Sequence, residues 1–307
     1  VTQNDEVNLI ASLLAKEAGV PQTVVRIQTE ELRGEYGAPL REAMRADVVI
    51  DPDADTADEI MELTEASGAD EVYQMSGGDL IVLGCTIGEG SALAGSTLAE
   101  IGASFEPDWS FLFGALTRGG ETVIPRGDQR LEVGDHVRVL TSRQDRNKIL
   151  ELLGASHRRA KRVMVLGGGA VGSRVAERLE IAGADVVLVE HDLDRARVLS
   201  ERLPRITVVR GDIEDTDMLS EESINDKDLV IAATGDDAAN VLACAFAASG
   251  RDTFTVAVIH RLSLLPLVRQ FGIDAALSPR TASANAVLRH VRGGTASVAT
   301  FLESDIE

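Results

Sequence analysis

Residues 162–290 alternate short apolar runs with segments in which apolar residues recur at helical spacing. The runs at 162–166, 186–189, 207–209 and 229–232 predict four strands, and helical spacing follows the first run. Runs that are apolar throughout indicate strands buried on both faces, as in parallel sheets covered by helices. With right-handed crossovers, this pattern predicts an α/β fold built on a doubly wound, Rossmann-like parallel sheet.

Residues 71–155 follow a different pattern. Short apolar runs are separated by Gly-rich turns, and one helical segment lies near Leu98. This combination predicts a small α+β module. Residues 291–307 are similar to the start of a second module of the same kind, and the basic tract at 156–161 is expected to be a linker.

An internal repeat relates the two ends of the chain. Residues 2–8 match residues 234–240 at an offset of 232, and residues 24–27 match 256–259 at the same offset. Residue 1 then corresponds to the end of the fourth predicted strand. We therefore expect residues 1–70 to be the C-terminal remnant of a first nucleotide-binding domain and 162–290 to be a second one. The chain is expected to be clipped inside a domain at both ends.

Charge and cysteine content exclude several classes of protein. The formal net charge of −20 excludes non-specific binding to nucleic acid, because phosphates would repel the chain. Cys85 and Cys244 lie far apart, which excludes a disulfide scaffold and a cysteine-based zinc ribbon. No apolar run approaches the ~18 residues of a membrane helix. A reducing cytoplasm is the simplest compartment.

The sharpest candidate site is a glycine loop after the first strand of the second domain. Gly167 permits a tight turn, Gly169 allows close approach of a pyrophosphate, and Gly172 allows the helix to pack on the strand. The N–H groups of the helix start favour an anion. Glu190, at the end of the second strand, can accept from both ribose hydroxyls and would repel a 2′-phosphate, which favours NAD(H) over NADP(H). The alternative is a glycine turn in an α/β domain without a ligand. The remaining loop residues assigned to the site are Gly168, Ala170 and Val171.

Two further loops are expected to border this site. Asp212, after the third strand, can accept from the adenine amine, and the backbone of Ile213 can complete an adenine clamp; equally, Asp212 can cap the next helix. Thr234 and Gly235 end the fourth strand at the cleft where open α/β sheets bind ligands. The aspartates that follow, at 236 and 237, are expected mainly to cap a helix, and Asn240 to tie the loop.

We find no group that would catalyse hydride transfer, such as a Tyr-x-x-x-Lys or His-Asp pair near the nicotinamide. A nucleotide site without such a group predicts a sensor rather than an enzyme, in which binding shifts a conformation. No His or Cys spacing indicates a zinc site. An acidic cluster allows either a solvated face, which is favoured, or a divalent-cation site. Its members are Asp51, Asp53, Asp55, Asp58, Glu59 and Glu62.

Together these residues resemble the RCK (KTN) domain family. In the N-terminal type of that domain, a Gly-x-Gly-x-x-Gly loop combines with an acidic end of strand two, Gly-Asp after strand three and Thr-x-x-Asp-x-x-Asn after strand four. Residues 71–155 resemble the C-terminal type. The marks of the latter are Arg118-Gly119, the segment 124–128, Leu131 and Gly134-Asp135.

The resemblance implies a cytoplasmic regulatory subunit, peripheral on the inner face of the plasma membrane. Such proteins form homo-oligomeric rings on a potassium-translocating subunit of the TrkH/TrkG type, bind NAD(H) and also ATP or ADP, and gate potassium flux. The second site would comprise the glycine loop, Glu190, Asp212 and Thr234-Gly235. In the first copy, only Thr2, Gln3 and Arg26 would remain, with Arg26 reaching a phosphate. Two alternatives stay open: an NAD-dependent oxidoreductase, and a regulator of potassium efflux or antiport.

Overall fold

The computed structural model describes residues 2, 4–29, 32, 37–66, 68–75, 79–107, 109–155, 160–250 and 253–291. Within these ranges the strands form three sheets. Three parts of the predictions lie outside the described residues: Gln3, most of the linker (156–159) and the start of a second C-terminal module (292–307). In the part of the chain described, no helix combines the length and the apolar character needed to cross a membrane.

The parallel domain, residues 162–291, is built on a six-stranded parallel sheet. Its strands, β8 to β13, stand in the order β10-β9-β8-β11-β12-β13, so the chain starts in the middle and winds outward in both directions. The predicted doubly wound α/β sheet is therefore confirmed. The strands are β8 (Arg162–Leu166), β9 (Asp185–Glu190), β10 (Thr207–Arg210), β11 (Leu229–Ala232), β12 (Phe254–Val258) and β13 (Ala275–Leu277).

Helices cover both faces of this sheet, and β8 and β11 at its centre are almost wholly buried. Two apolar cores result, one on each face. Three short 3₁₀ turns lie at 224–226, 262–264 and 269–271. The helices are numbered in chain order from those of the preceding segments: α6 (Ala170–Ile181), α7 (Leu193–Arg202), α8 (Thr216–Glu221), α9 (Asp237–Ala248), α10 (Leu265–Val268) and α11 (Pro279–Val291).

The antiparallel module, residues 71–152, confirms the predicted α+β pattern. Five strands pair in the order β3-β4-β7-β5-β6, and every pairing is antiparallel. Thr97 and Glu100 form a capping box at the start of its first helix, which fixes the residue at which that helix begins. The elements are β3 (Glu71–Met75), β4 (Leu80–Thr86), α4 (Leu98–Phe105), β5 (Phe111–Arg118), β6 (Glu121–Val123), β7 (His136–Ser142) and α5 (Arg146–Leu152).

The first repeat, residues 2–66, contains a two-stranded parallel sheet, β1–β2. Leu9, Val25 and Ile27 form its small buried core. The elements are α1 (Asp5–Glu17), β1 (Val24–Arg26), α2 (Ala38–Ala43), β2 (Val48–Ile50) and α3 (Pro52–Glu65).

The internal repeat recurs in the hydrogen bonds of the two segments. Asn240 Oδ1 accepts from the N–H and hydroxyl of Thr234, and its Nδ2 donates to the carbonyls of Thr234 and Val258. At positions 232 residues earlier, Asn8 makes the same four bonds, to Thr2 and to the carbonyl of Arg26. The predicted role of Asn240 in tying its loop is therefore observed, and it holds in both copies.

A second pair of equivalent residues is bonded in the same way. Asp237 accepts from the backbone N–H groups of His260 and Arg261, and Asp5 accepts from those of residues 28 and 29. Each aspartate thus joins the first turn of a helix to the loop after the next strand. Because independent side-chain contacts coincide at one offset, the two segments are copies of one folding unit.

Helix α3 of the first repeat packs on α6 and α11 of the parallel domain. Ile60 and Leu63 of α3 are fully buried and share one apolar core with Val175 and Leu179 of α6. Burial of a side chain of this size contributes roughly 1.5–3 kcal/mol. The first repeat is therefore joined to the parallel domain through a common core.

The acidic cluster on α3 requires a correction. The favoured interpretation was a solvated face, but Asp51 pairs with Arg174, Asp58 with Arg178, and Glu62 with Arg143. The first two arginines belong to α6, and the third follows β7. These carboxylates therefore form ion pairs between segments. The pattern of acids along one helix could not reveal arginines that lie about 80 to 120 positions away in the chain.

Candidate nucleotide-binding site

The glycine loop lies at the carboxyl end of β8, where the order of the strands reverses. β8 pairs with β9 on one side and with β11 on the other, so the chain leaves it in opposite directions. The connections that follow these strands diverge and leave a crevice between them. Residues 167–169 enter α6 from this crevice, so the loop and the helix start stand where such sheets hold a ligand.

Steric contacts explain why the loop needs its glycines. Gly167 has φ +105°, which favours glycine, and a Cβ there would lie 2.9 Å from a Thr234 methyl carbon. A Cβ on Gly172 would lie 2.0 Å from the carbonyl oxygen of Gly167, so helix and loop could not pack as they do. Around Gly169 the space is open: the nearest atom to a Cβ is 4.0 Å away. The loop is therefore tightly packed at Gly167 and Gly172 and open at Gly169, which fits a pyrophosphate cradle.

Gly168 has a contact that sequence reasoning missed. A Cβ at this position would lie 2.4 Å from Leu199 Cδ1 and 2.8 Å from Glu190 Oε2. Leu199 belongs to α7, and it is buried. The loop is thus pressed between its own helix and the helix after β9. No local pattern could have indicated this, because Leu199 reads as an ordinary core position of α7.

Glu190 faces the glycine loop and is 3% exposed. Its Oε2 accepts from the N–H of Gly168 at 2.9 Å, and its Oε1 accepts from the N–H of Asp192 at 2.9 Å. His191 Nδ1 lies 3.0 Å from the same Oε1. Oε2, which has one partner, keeps a further lone pair that can accept a hydrogen bond from a hydroxyl. The structure therefore places Glu190 beside the loop and adds a role that was not expected, namely holding the loop in place.

Asp212 and Ile213 follow β10, which pairs with β9 so that Arg210 stands beside Glu190. Asp212 is exposed, and its carboxylate accepts from the N–H of Glu214 at 3.0 Å. The next helix, α8, is capped by Asp215, so the alternative interpretation of Asp212 as that cap is wrong. The side chain of Ile213 is buried in the core.

Thr234 and Gly235 follow β11 on the other side of the crevice. The Thr234 hydroxyl lies 2.6 Å from Asn240 Oδ1, and Gly235 is exposed with no atom within 4 Å of a Cβ position. Asp236 caps α9 by accepting from the N–H groups of residues 238 and 239. Of the two aspartates considered for this cap, the structure therefore selects Asp236.

Asp237 holds the loop after β12, a role that the sequence analysis did not distinguish from helix capping. It is 5% exposed, and besides two backbone N–H groups it accepts from Arg261 Nε, with His260 Nδ1 3.1 Å away. Burial raises the pKa of Asp237, but the hydrogen bonds from His260 and Arg261 outweigh it and hold the pKa below its usual value. Two basic side chains are thus fixed at the end of β12. In the sequence, the only signal for this role was that His260 and Arg261 closely follow Val258, which is equivalent to Arg26 in the repeat.

In the first repeat, the candidate residues Thr2 and Arg26 lie together. Arg26 Nη1 donates to the carbonyl of Thr2 at 3.3 Å. Asp5 is buried close to them. Burial raises the pKa of Asp5, but hydrogen bonds from Thr29 and Gln28 outweigh this effect and hold the pKa below its usual value. These contacts position Arg26 at the carboxyl end of β1, the equivalent of β12.

A large cavity lies elsewhere, at the amino ends of the parallel strands and against the antiparallel module. Its volume is about 1110 Å³, and its wall includes Asp70, Asp228 and Asp274. Asp70, Glu71 and His136 lie near this cavity, and their potential metal-ligand atoms are within 4.8 Å of one another. Glu71 accepts from Nε and Nη2 of Arg138, and Asp70 Oδ1 lies 2.9 Å from His136 Nε2, so these groups are already paired within the protein. The cavity is at the opposite edge of the sheet from the glycine loop, and none of the candidate site residues that the structure describes lines it.

Two family models match the chain. Residues 82–154 match the TrkA-C domain, and residues 163–279 match the TrkA-N domain. The TrkA-N match contains the parallel sheet with its glycine loop, and the TrkA-C match covers most of the antiparallel module.

Curated relatives match nearly the whole chain. The Trk system potassium uptake protein TrkA of Halomonas elongata is 33% identical over 295 residues, which cover 96% of this chain and 64% of that protein. A TrkA homolog of Archaeoglobus fulgidus is 31% identical over 294 residues, covering 95% of this chain and 65% of its own length. The chain therefore spans just under two thirds of the length of these relatives.

A solved structure of the GsuK channel bound to NAD has the same fold. It superposes with a TM-score of 0.62 at 16% identity, covering 94% of this chain and 50% of that chain. The chain thus carries a TrkA-C domain followed by a TrkA-N domain and resembles, along nearly its whole length, TrkA proteins of Trk potassium uptake systems.

Proposed function

We propose that this chain belongs to a nucleotide-binding regulatory subunit of a Trk-type potassium transporter. The observation that carries the proposal is the glycine loop at the switch point of the sheet, with Glu190 bonded to its Gly168 N–H. The open approach at Gly169 and the start of α6 suit a pyrophosphate. The relatives named for potassium uptake support the proposed biological setting.

The ligand we propose is NAD(H), with ATP or ADP as further adenine nucleotides. Glu190 is a buried carboxylate beside the loop, and a 2′-phosphate brought next to it would be repelled and only partly screened. The GsuK channel, whose fold this chain shares, was solved bound to NAD. The proposed site residues are those of the glycine loop, 167–172, together with Glu190, Asp212, Ile213, Thr234 and Gly235; Thr2, Gln3 and Arg26 are proposed for the first repeat.

The proposed role of the bound nucleotide is to shift a conformation. Glu190, Asp237 and the groups around them are engaged with their own loops, and they act in this proposal by positioning. The free energy of nucleotide binding can then favour one arrangement of the TrkA-N domain relative to the neighbouring segments of the protein over another. The partner would be a TrkH/TrkG-type membrane subunit, and the chain would act from the cytoplasmic side as part of a homo-oligomeric ring.

Isothermal titration with NADH, NAD, ATP, ADP and NADPH tests the ligand. The variant Glu190→Ala should weaken NADH binding at least tenfold, since it removes the acceptor for the ribose and releases Gly168. Glu201→Ala, an exposed glutamate of α7, is the matched control. Equal NADH affinity in wild type and Glu190→Ala would remove the assignment, provided circular dichroism shows both to be folded.

Two further measurements separate regulation from catalysis. Co-purification with a potassium-translocating membrane subunit is expected, and its dependence on NADH would link the site to the partner. Turnover of NADH with a small carbonyl compound would instead favour an oxidoreductase and contradict the proposal.

A further inference from the structure

The helix that starts at the glycine loop is tied to the first repeat by two ion pairs. Arg174 Nη1 lies 2.9 Å from Asp51 Oδ2, and Arg178 pairs with Asp58. The Arg174–Asp51 pair is largely shielded, with side chains 24% and 17% exposed. Both arginines are on α6, and both acids belong to α3 or its cap. These contacts therefore join the candidate nucleotide site to a part of the chain outside the TrkA-N domain.

Asp51 connects the two helices through its two oxygens. Oδ1 accepts from the N–H groups of Asp53 and Ala54 and so caps α3, while Oδ2 binds Arg174. Arg174 is two residues beyond Gly172. Asp51 therefore links the start of α3 to a residue near the start of α6, where the helix N–H groups would face the ligand.

The repeat indicates that these acids are not needed by the folding unit itself. At the offset of 227 that relates α3 to α11, Ser278 and Asn285 stand where Asp51 and Asp58 stand in the first copy. Helix α11 forms with uncharged residues at both positions. The negative charges are thus specific to the copy that faces Arg174 and Arg178.

From this arrangement we propose that Asp51 of the first repeat is a positioning residue for the dinucleotide site of the TrkA-N domain and acts through Arg174. The inference rests on the proposed function. The shared core around Ile60 and Val175 keeps α3 and α6 in contact, and the ion pair sets how α6 lies along α3. Nucleotide affinity then depends on the first repeat, and by reciprocity the nucleotide stabilises the α3–α6 contact.

The test compares NADH dissociation constants of the full chain and its Asp51→Asn, Arg174→Gln and doubly substituted variants. Asparagine is as good a cap as aspartate, so Asp51→Asn removes the charge and keeps the helix start. We expect each single variant to bind NADH roughly threefold to tenfold more weakly, and the double variant no more weakly than the weaker single. Glu180→Gln is the matched control. It breaks another carboxylate–arginine pair of α6, with Arg205 at 2.8 Å, that does not involve α3.

A purely structural role would lower the melting temperature of Asp51→Asn without changing the dissociation constant of the folded protein. That result, or equal affinities in Asp51→Asn and Glu180→Gln, would overturn the inference alone. A wild type that binds no dinucleotide would overturn the proposed function and this inference with it. Hydrogen exchange of the wild type gives a second readout that needs no variant: NADH should slow exchange of the amides at 53–58, and unchanged exchange there would count against Asp51.

Discussion

Replacement of Asn240 by alanine should destabilise the TrkA-N domain by about 2–4 kcal/mol. Asn240 is fully buried, and its amide makes four hydrogen bonds between the loop after β11 and the end of β12. Each bond contributes about 1 kcal/mol net, and a buried group left without a partner costs about 1–3 kcal/mol. The Val258 carbonyl is the group with least access to water, whereas Thr234 is half-buried and can be hydrated. We therefore expect a total loss of stability of about 2–4 kcal/mol, which is less than it would be if every freed group stayed without water.

The internal repeat supplies the control for this experiment. Asn8 makes the same four bonds, but Thr2 is exposed, so water can replace more of them in Asn8→Ala. Thermal unfolding followed by circular dichroism should show a loss of about 10 °C for Asn240→Ala and clearly less for Asn8→Ala. A loss below about 1 kcal/mol for Asn240→Ala, or an equal loss in both variants, would refute the assignment of the stability to these bonds.

Two further predictions concern the loop and the pH dependence. Gly172→Ala should abolish nucleotide binding in titrations, since its Cβ would lie 2.0 Å from the first glycine's carbonyl oxygen, whereas Gly90→Ala, with open space around it and outside the proposed site, should bind normally; equal binding by both would contradict the steric argument. Hydrogen bonds from Arg162 and two backbone N–H groups outweigh the effect of burial and lower the pKa of Asp228 from 3.8 to about 2. Because this pKa is lowered on folding, its stabilising effect is complete above pH 4 and is lost as the pH falls toward 2. Melting temperatures of wild type and Asp228→Asn should therefore converge in that range, and a constant difference down to pH 2 would contradict the assignment.

In the proposed complex, Glu190 would link the integrity of the glycine loop to the bound nucleotide. In the structure it accepts from Gly168 and Asp192, and in the proposed complex it also accepts from ribose. A ligand that reinforces these bonds would order the loop and the start of α6 together. This connection is the physical reason to expect that a nucleotide bound at 167–172 affects contacts as distant as Arg178–Asp58.

Much of the fold could be predicted from local sequence. Runs such as 162–166 and 229–232 are apolar throughout because both faces of a central parallel strand are covered, so the pattern itself carries the burial. The glycine loop is equally local: φ +105° at Gly167 and the tight packing at Gly172 require glycine at fixed spacing. The repeat was visible because the same hydrogen bonds select the same residue types, as at Asn8 and Asn240.

Other features depended on segments far apart in the chain. Asp51 and Arg174 are 123 positions apart, and no property of either residue indicates that one binds the other. Likewise, Glu190 was recognisable as an acid at the end of a strand, yet its bond to Gly168 required the two strand ends to be brought together. Residue type and spacing along the chain determine which elements form and where glycine or a cap must stand. Which charged groups meet is decided only by packing, because burial of Ile60 and Leu63 holds α3 against α6 and so brings Asp51 within reach of Arg174.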